Sequence, residues 1–178
     1  MLASLKSLFS PSAATKQAHA AYERIVAQSR QPVFYKDWQV EDSLDGRFDM
    51  ISLHLSLILM RLESELAQPD VEAFYRALTE LFFADMDRSL REMGASDTGV
   101  GIRVKNMAQA FYGRKKAYQE TMNDETALGE VLRRNVYRLK TVRDEAVASL
   151  AAYMGRNRAA LSAQPVDALM MGVVAFSG

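Results

Sequence analysis

The side chains able to do chemistry gather in a few places. Asp85, Asp87 and Glu92 stand in one stretch of helical periodicity, and Arg103 and Arg114 stand in the next. The short connection from Gly94 to Thr98 predicts that these two stretches pack as antiparallel neighbours. The acids and arginines then face each other across one seam, with Arg47 close enough in the pattern to join. An unpaired charge at a buried edge costs several kcal/mol, so the groups must find partners. The result is either a structural ion-pair network or a charged groove for the tail of another polypeptide. Catalysis would require one of these acids to sit perturbed in a pocket.

Four smaller groups accompany it. Lys105, Lys115 and Lys116, then Arg133, Arg134, Arg138, Lys140 and Arg143, form a basic run, partly offset by Glu120, Asp124, Glu125 and Glu130. Such a run is a solvated face or a surface for RNA or anionic lipid. His54 shares a stripe with Arg47 and Arg61, which marks it as a hydrogen-bonded structural residue made less basic by two cations. No motif supports haem ligation by His54 or His19. Gly99-Val100-Gly101 opens a helix and offers backbone amides to an anion. No strand precedes it, however, and it is neither a P-loop nor a GxGxxG turn. Phe34, Tyr35 and Trp38 are read as an irregular aromatic stretch that either lids the core or anchors a partner.

The elements that position these groups are helical. The 178 residues suit one domain. Acidic and basic side chains balance at 22 each, so the whole molecule has no field to attract nucleic acid. The absence of cysteine excludes disulfides and thiolate chemistry. Residues 1–12 are expected to be a flexible segment that is not a secretory signal. Leu2, Leu5 and Leu8–Phe9 follow a helical spacing that suits a membrane surface or a frayed terminus. Serines without acids before Glu23 also fit an organelle transit segment. The longest apolar run, Met50 to Met60, is too short to cross a bilayer.

Apolar periodicity predicts helices over about 13–29, 43–66, 69–93, 98–118, 125–138 and 141–161, with a short turn at 166–171. Asp42 or Ser43, Pro69 and the Thr141-x-x-Asp144 pattern mark starts, and Gly94 marks a stop. Segment 43–66 is apolar on two sides. Asp49, Ser52, Ser56 and Glu63 form one polar stripe between those sides, and Arg47, His54 and Arg61 form the other. A helix of this kind belongs at the centre of a bundle. The expected fold is therefore all-α: a single-domain compact bundle of about six helices over 13–178, with a C-terminal helical turn.

Several stretches together resemble the ubiquinol–cytochrome c chaperone family. They are Leu44-Asp45-Gly46-Arg47-Phe48-Asp49-Met50 with Leu53-His54-Leu55, and Phe83-Ala84-Asp85-Met86-Asp87-Arg88-Ser89-Leu90-Arg91-Glu92-Met93-Gly94. They continue with Asp97, Gly99-Val100-Gly101, Arg103-Val104-Lys105 and Ala110-Phe111-Tyr112-Gly113-Arg114. Together they cover most of the chain from about Phe34 to Tyr137. One departure is Glu41 before Asp42, where family members often carry Pro. The shortness of the chain is similar to the bacterial branch.

The resemblance implies an assembly factor for respiratory complex III (ubiquinol–cytochrome c reductase), acting by protein binding, with no catalytic residue, metal or cofactor. Its client would be newly made cytochrome b or another complex III component. A ribosome or a small partner protein would be further contacts, and DNA would not. It would work in the cytoplasm or peripherally on the inner membrane, and on the matrix side in a mitochondrion. The residues expected to meet partners are Phe34, Tyr35, Trp38, Arg47, Asp85, Arg88, Arg103, Lys105, Tyr112, Arg114, Lys115 and Lys116, along the seam and around Trp38. Two rival readings remain. One is a helical enzyme or small-molecule carrier whose pocket, between segments 43–66, 69–93 and 98–118, is lined by Asp85, Arg114 and His54. The other is a ribosome-bound adaptor that needs no client.

Overall fold

Ser43 sets the entry to the central helix: its hydroxyl accepts the Gly46 amide at the N-cap of α3, Leu44–Leu62. A computed structural model describes residues 13–94 and 96–177, so the expectations for residues 1–12 lie outside the described residues. Before α3 come α1, Ala13–Ser29, and a short α2, Pro32–Lys36. After a 3₁₀ turn at Glu63–Glu65 follow α4, Pro69–Glu92, and α5, Asp97–Thr121. Next are α6, Glu125–Asn135, α7, Asp144–Ala163, and the short α8, Val166–Met170. Among the described residues there is no strand, which agrees with the all-α expectation.

Helix α3 packs against α1, α4, α5 and α7. The middle of each polar stripe read from its sequence is buried against neighbours, since Asp49, Ser52, His54 and Ser56 have no exposed surface, while Arg47 at the start of the helix stays exposed. Around α3 the core gathers Ile25 of α1, Phe74, Leu78 and Phe82 of α4, Phe111 and Tyr118 of α5, and Leu150, Tyr153 and Met154 of α7. The α3 start is also fixed by close approach. A Cβ on Gly46 would lie 1.9 Å from the carbonyl oxygen of Glu41, so only glycine fits there. Helix α4 begins at Pro69, whose missing amide costs nothing in a first turn. It ends before Gly94, which takes φ 82° to turn the chain into α5.

Two local expectations are corrected. The stretch 33–38 is irregular only from Asp37 on, because Pro32 starts a helical turn that runs to Lys36 and buries Phe34. Thr141 is not a cap: α7 starts at Asp144 after Arg143, with no side-chain cap. Between α6 and α7 the chain instead turns through left-handed Arg138 and Leu139, φ 54° and 58°.

Candidate functional site

Asp49 lies at the centre of the largest charged group. The Arg138 guanidinium donates to Asp49 Oδ2 at 2.9 Å, and Arg114 Nη2 meets Oδ1 at 2.9 Å as an ion pair without a directed hydrogen bond. Arg138 also reaches Asp45 at 3.0 Å. The guanidinium of Arg114 lies over the Phe48 ring, 5.5 Å from its centroid, a favourable cation–π position. Burial raises the Asp49 carboxyl to about 6, although Arg114 and then Arg138 pull it back. The buried Tyr118 hydroxyl and Ser52 Oγ have no hydrogen-bond partner in the same region. One carboxylate thus ties α3 to α5 and to the α6–α7 turn.

This arrangement replaces the expected seam network. Arg114 pairs with Asp49 and not with the acids of α4. Asp85 accepts a 3.0 Å hydrogen bond from the Tyr22 hydroxyl. Asp87 pairs with Arg91 one turn on, at 2.7 Å, and Arg47 pairs with Asp42 at 2.7 Å. Glu92 and Arg103 are exposed, and Arg103 makes no ion pair among the described residues. The physical reason is register: Asp49 enters the α3–α5 contact at the height of Arg114, so the cation meets a carboxylate with no access to water.

The basic run is also largely consumed. Lys115 is buried and donates to Glu63, which Gln119 also bonds at 2.8 Å. Arg133 bonds Asp144, Lys140 bonds Glu41, and Arg143 donates to the Asp37 carbonyl at 2.9 Å. Arg138, Lys140 and Arg143 together stitch the α6–α7 turn to the entry of α3 and the segment before it, and Arg133 joins α6 to α7. On α5 the exposed cations are Arg103, Lys105 and Lys116. Lys116 has a loose partner in Glu120 at 3.8 Å.

His54 faces the opposite side of α3. Its Nδ1 lies 2.7 Å from the Met50 carbonyl, which can only accept, so the proton sits there. The Tyr153 hydroxyl therefore donates to Nε2 at 2.8 Å and accepts from Gln28 at 3.0 Å. Burial, not the two arginines, lowers His54 to about 4. Phe34 and Phe176 meet the imidazole edge-on, and Trp38 packs on Phe34 and Tyr153. Phe34 has no exposed surface, so it serves as core and has nothing to offer a partner. Tyr35 is half-buried and donates to the Ser29 carbonyl at 2.8 Å. Trp38 is half-buried as a lid. Asp85, Arg114 and His54, expected to line one chamber, occupy three separate places.

An aromatic ladder does reach the surface. Phe48 stacks on Phe82 at 5.7 Å, Phe82 meets Phe111 at 5.0 Å, and Phe83 bridges Phe111 and Tyr112 at 5.9 and 6.2 Å. Tyr112 is 49% exposed, and nearer the α4–α5 turn Ile102 and Met93 are 60% and 55% exposed. At 100° per residue Lys105, Tyr112 and Lys116 share one stripe of α5, an aromatic group between two cations. Sequence periodicity places Tyr112 outside the apolar stripe, which was the available signal. It gives none for Met93, which the pattern assigns to the buried arc. Among the described residues no group of three His, Asp or Glu is placed to hold a metal ion, and no helix is long and apolar enough to cross a membrane.

Residues 36–176 match the family model described as ubiquinol-cytochrome C chaperone. The chain is 20% identical over 154 residues to "Ubiquinol-cytochrome c reductase complex assembly factor 1" of Drosophila melanogaster, a match that spans 84% of this chain and 60% of that protein. The crystal structure of the Cbp3 homolog from Brucella abortus superposes with a TM-score of 0.84 at 36% identity, covering 100% of this chain and 97% of that one.

Proposed function

Because this chain belongs to the ubiquinol-cytochrome c chaperone family, we propose that it is a non-catalytic assembly factor that holds newly made cytochrome b while complex III is built. The observation that supports this most is the aromatic ladder ending at Tyr112. Rings that continue a core outward place apolar surface where water meets it, and exposed aromatic groups are the usual anchors of protein interfaces. Ile102 and Met93 extend the apolar surface toward the hairpin turn, while Lys105 and Lys116 supply charge for acidic loops or lipid headgroups beside the client. The work is done in the cytoplasm at the inner membrane, or on the matrix side in a mitochondrion, with a ribosome or small partner protein as further contacts.

The test introduces a photo-crosslinking amino acid at Tyr112 and, as a control, at exposed Glu145 of α7. Deletion of the gene is expected to lower cytochrome b and complex III, and the Tyr112 probe is expected to capture newly made cytochrome b while the Glu145 probe does not. Normal complex III in the deletion strain removes the function. Capture at Glu145 and not at Tyr112 removes the surface.

A further inference from the structure

On the other side of α4 from Tyr112, three cavities meet at one arginine. Arg30 follows the last turn of α1, and it lines cavities of about 340, 580 and 230 Å³. The smallest is shared with Arg47 of α3 and Arg88 of α4. Three guanidinium groups from three elements therefore border one groove. Its floor is apolar: Leu44, Phe48, Ile51 and Met86 line it.

The balance of charge inside the groove favours an incoming anion. Arg30 and Arg88 are exposed and make no ion pair among the described residues. Asp85, which also lines the groove, is engaged by the Tyr22 hydroxyl, and burial keeps that phenol protonated. Arg47 holds Asp42, but both side chains are more than half exposed, so water screens the pair and it exchanges readily. A guanidinium presents a rigid fork that matches a carboxylate in two-point contact.

We propose that this groove docks an acidic segment of a partner polypeptide, with a carboxylate between Arg30 and Arg88 and a neighbouring apolar side chain against the exposed Leu44. Two features favour a peptide over a phospholipid. Asp85 and Glu92 sit in the same lining, and carboxylate oxygens can accept from the amides of a peptide backbone, donors that a phosphodiester does not offer. A volume of about 230 Å³ receives one large side chain, not a pair of acyl chains. The inference deepens the reading of the chain as a polypeptide binder but uses a different surface, so either can fail alone.

The test is NMR of the whole chain with arginine side chains labelled. The probe is an acetylated, amidated peptide alternating Glu with Leu and Phe, beside its Gln-for-Glu counterpart. Separate samples receive phosphatidylcholine vesicles with and without phosphatidylglycerol. The acidic peptide is expected to shift the Nε–H signals of Arg30 and Arg88. Its binding is expected to weaken about tenfold in the doubly reversed Arg30→Glu/Arg88→Glu variant, as two lost charge contacts of about 0.7 kcal/mol each require. Equal binding of the Gln peptide, unchanged binding by the variant, or no shift at peptide excess overturns the proposal. Shifts caused by phosphatidylglycerol and not by the peptide overturn it in favour of a membrane surface. The two variant sites are exposed, and an unchanged backbone spectrum establishes that the variant is folded.

Discussion

Two buried titratable groups on α3 should pull the acid stability of this protein in opposite directions. His54 falls from 6.5 to about 4 on folding because it is buried. Between those values the unfolded chain binds a proton that the native state refuses, so stability drops as pH falls. Asp49 rises from 3.8 to about 6 because burial outweighs its two arginines. Between those values the native state binds a proton that the unfolded chain refuses, so stability grows as pH falls. Each gap is worth about 3 kcal/mol, and both side chains have no exposed surface, so solvent screening removes little of it. In the wild type the two effects nearly cancel.

Single variants separate them. His54→Gln keeps a hydrogen-bonding side chain without the titration, and Asp49→Asn does the same for the carboxylate. Urea unfolding at about pH 7 and about pH 4, with each variant compared to wild type at each pH, removes the shared contribution of surface groups. Between these pH values the His54→Gln difference should move about 3 kcal/mol in the variant's favour, and the Asp49→Asn difference about 2 kcal/mol against it. Differences that do not change with pH, or that change with the same sign in both variants, would refute the reasoning.

Other substitutions test other joints. Gly46→Ala forces a methyl against the Glu41 carbonyl oxygen, and should cost about 3 kcal/mol or more in chemical denaturation. Leu139→Gly relieves a left-handed residue that is 78% exposed, and should raise the unfolding midpoint by the equivalent of about 0.5–1 kcal/mol. Glu63→Ala strands the buried Lys115 ammonium at a cost of about 2 kcal/mol, and adding Lys115→Met should recover most of that loss in a double-mutant cycle. Tyr112→Ser should leave the urea midpoint within about 0.5 kcal/mol of wild type while reducing complex III when it replaces the native gene.

The sequence was most legible where a local rule decides the outcome. Two apolar faces marked α3 as the central helix, Ser43 and Pro69 opened helices, and Gly94 closed one. It was least legible where distant elements choose their register. Asp49 was visible as a polar member of a buried helix, yet nothing local tells whether Arg114, Arg103 or an α6 arginine will reach it. That depends on how far α5 slides along α3, and on two left-handed residues at the α6–α7 turn that carry no glycine to announce them. Lys115 was a different kind of miss. It stands four residues after Phe111 and three before Tyr118, on the same stripe, so its burial followed from the period already in use. The exposed cations were over-read for the same reason. Lys140, Arg133 and Arg143 look like a surface until the fold brings Glu41, Asp144 and the Asp37 carbonyl beside them.

The segment 173–177 carries a consequence for how the chain is made. Asn157 exchanges two hydrogen bonds with the Ser177 backbone, Gln164 holds Val173 and Ala175, and Phe176 then rests against His54. The rings it covers come from α2, α3 and α7, all of which leave the ribosome earlier. A chain that has folded α1 to α7 but has not yet seated this segment therefore holds a hollow around His54 that still lacks its cover. A protein proposed to shelter an unfinished client is for a moment unfinished itself, and ending the released chain after Gln164 should trap that stage as a species that binds hydrophobic dye.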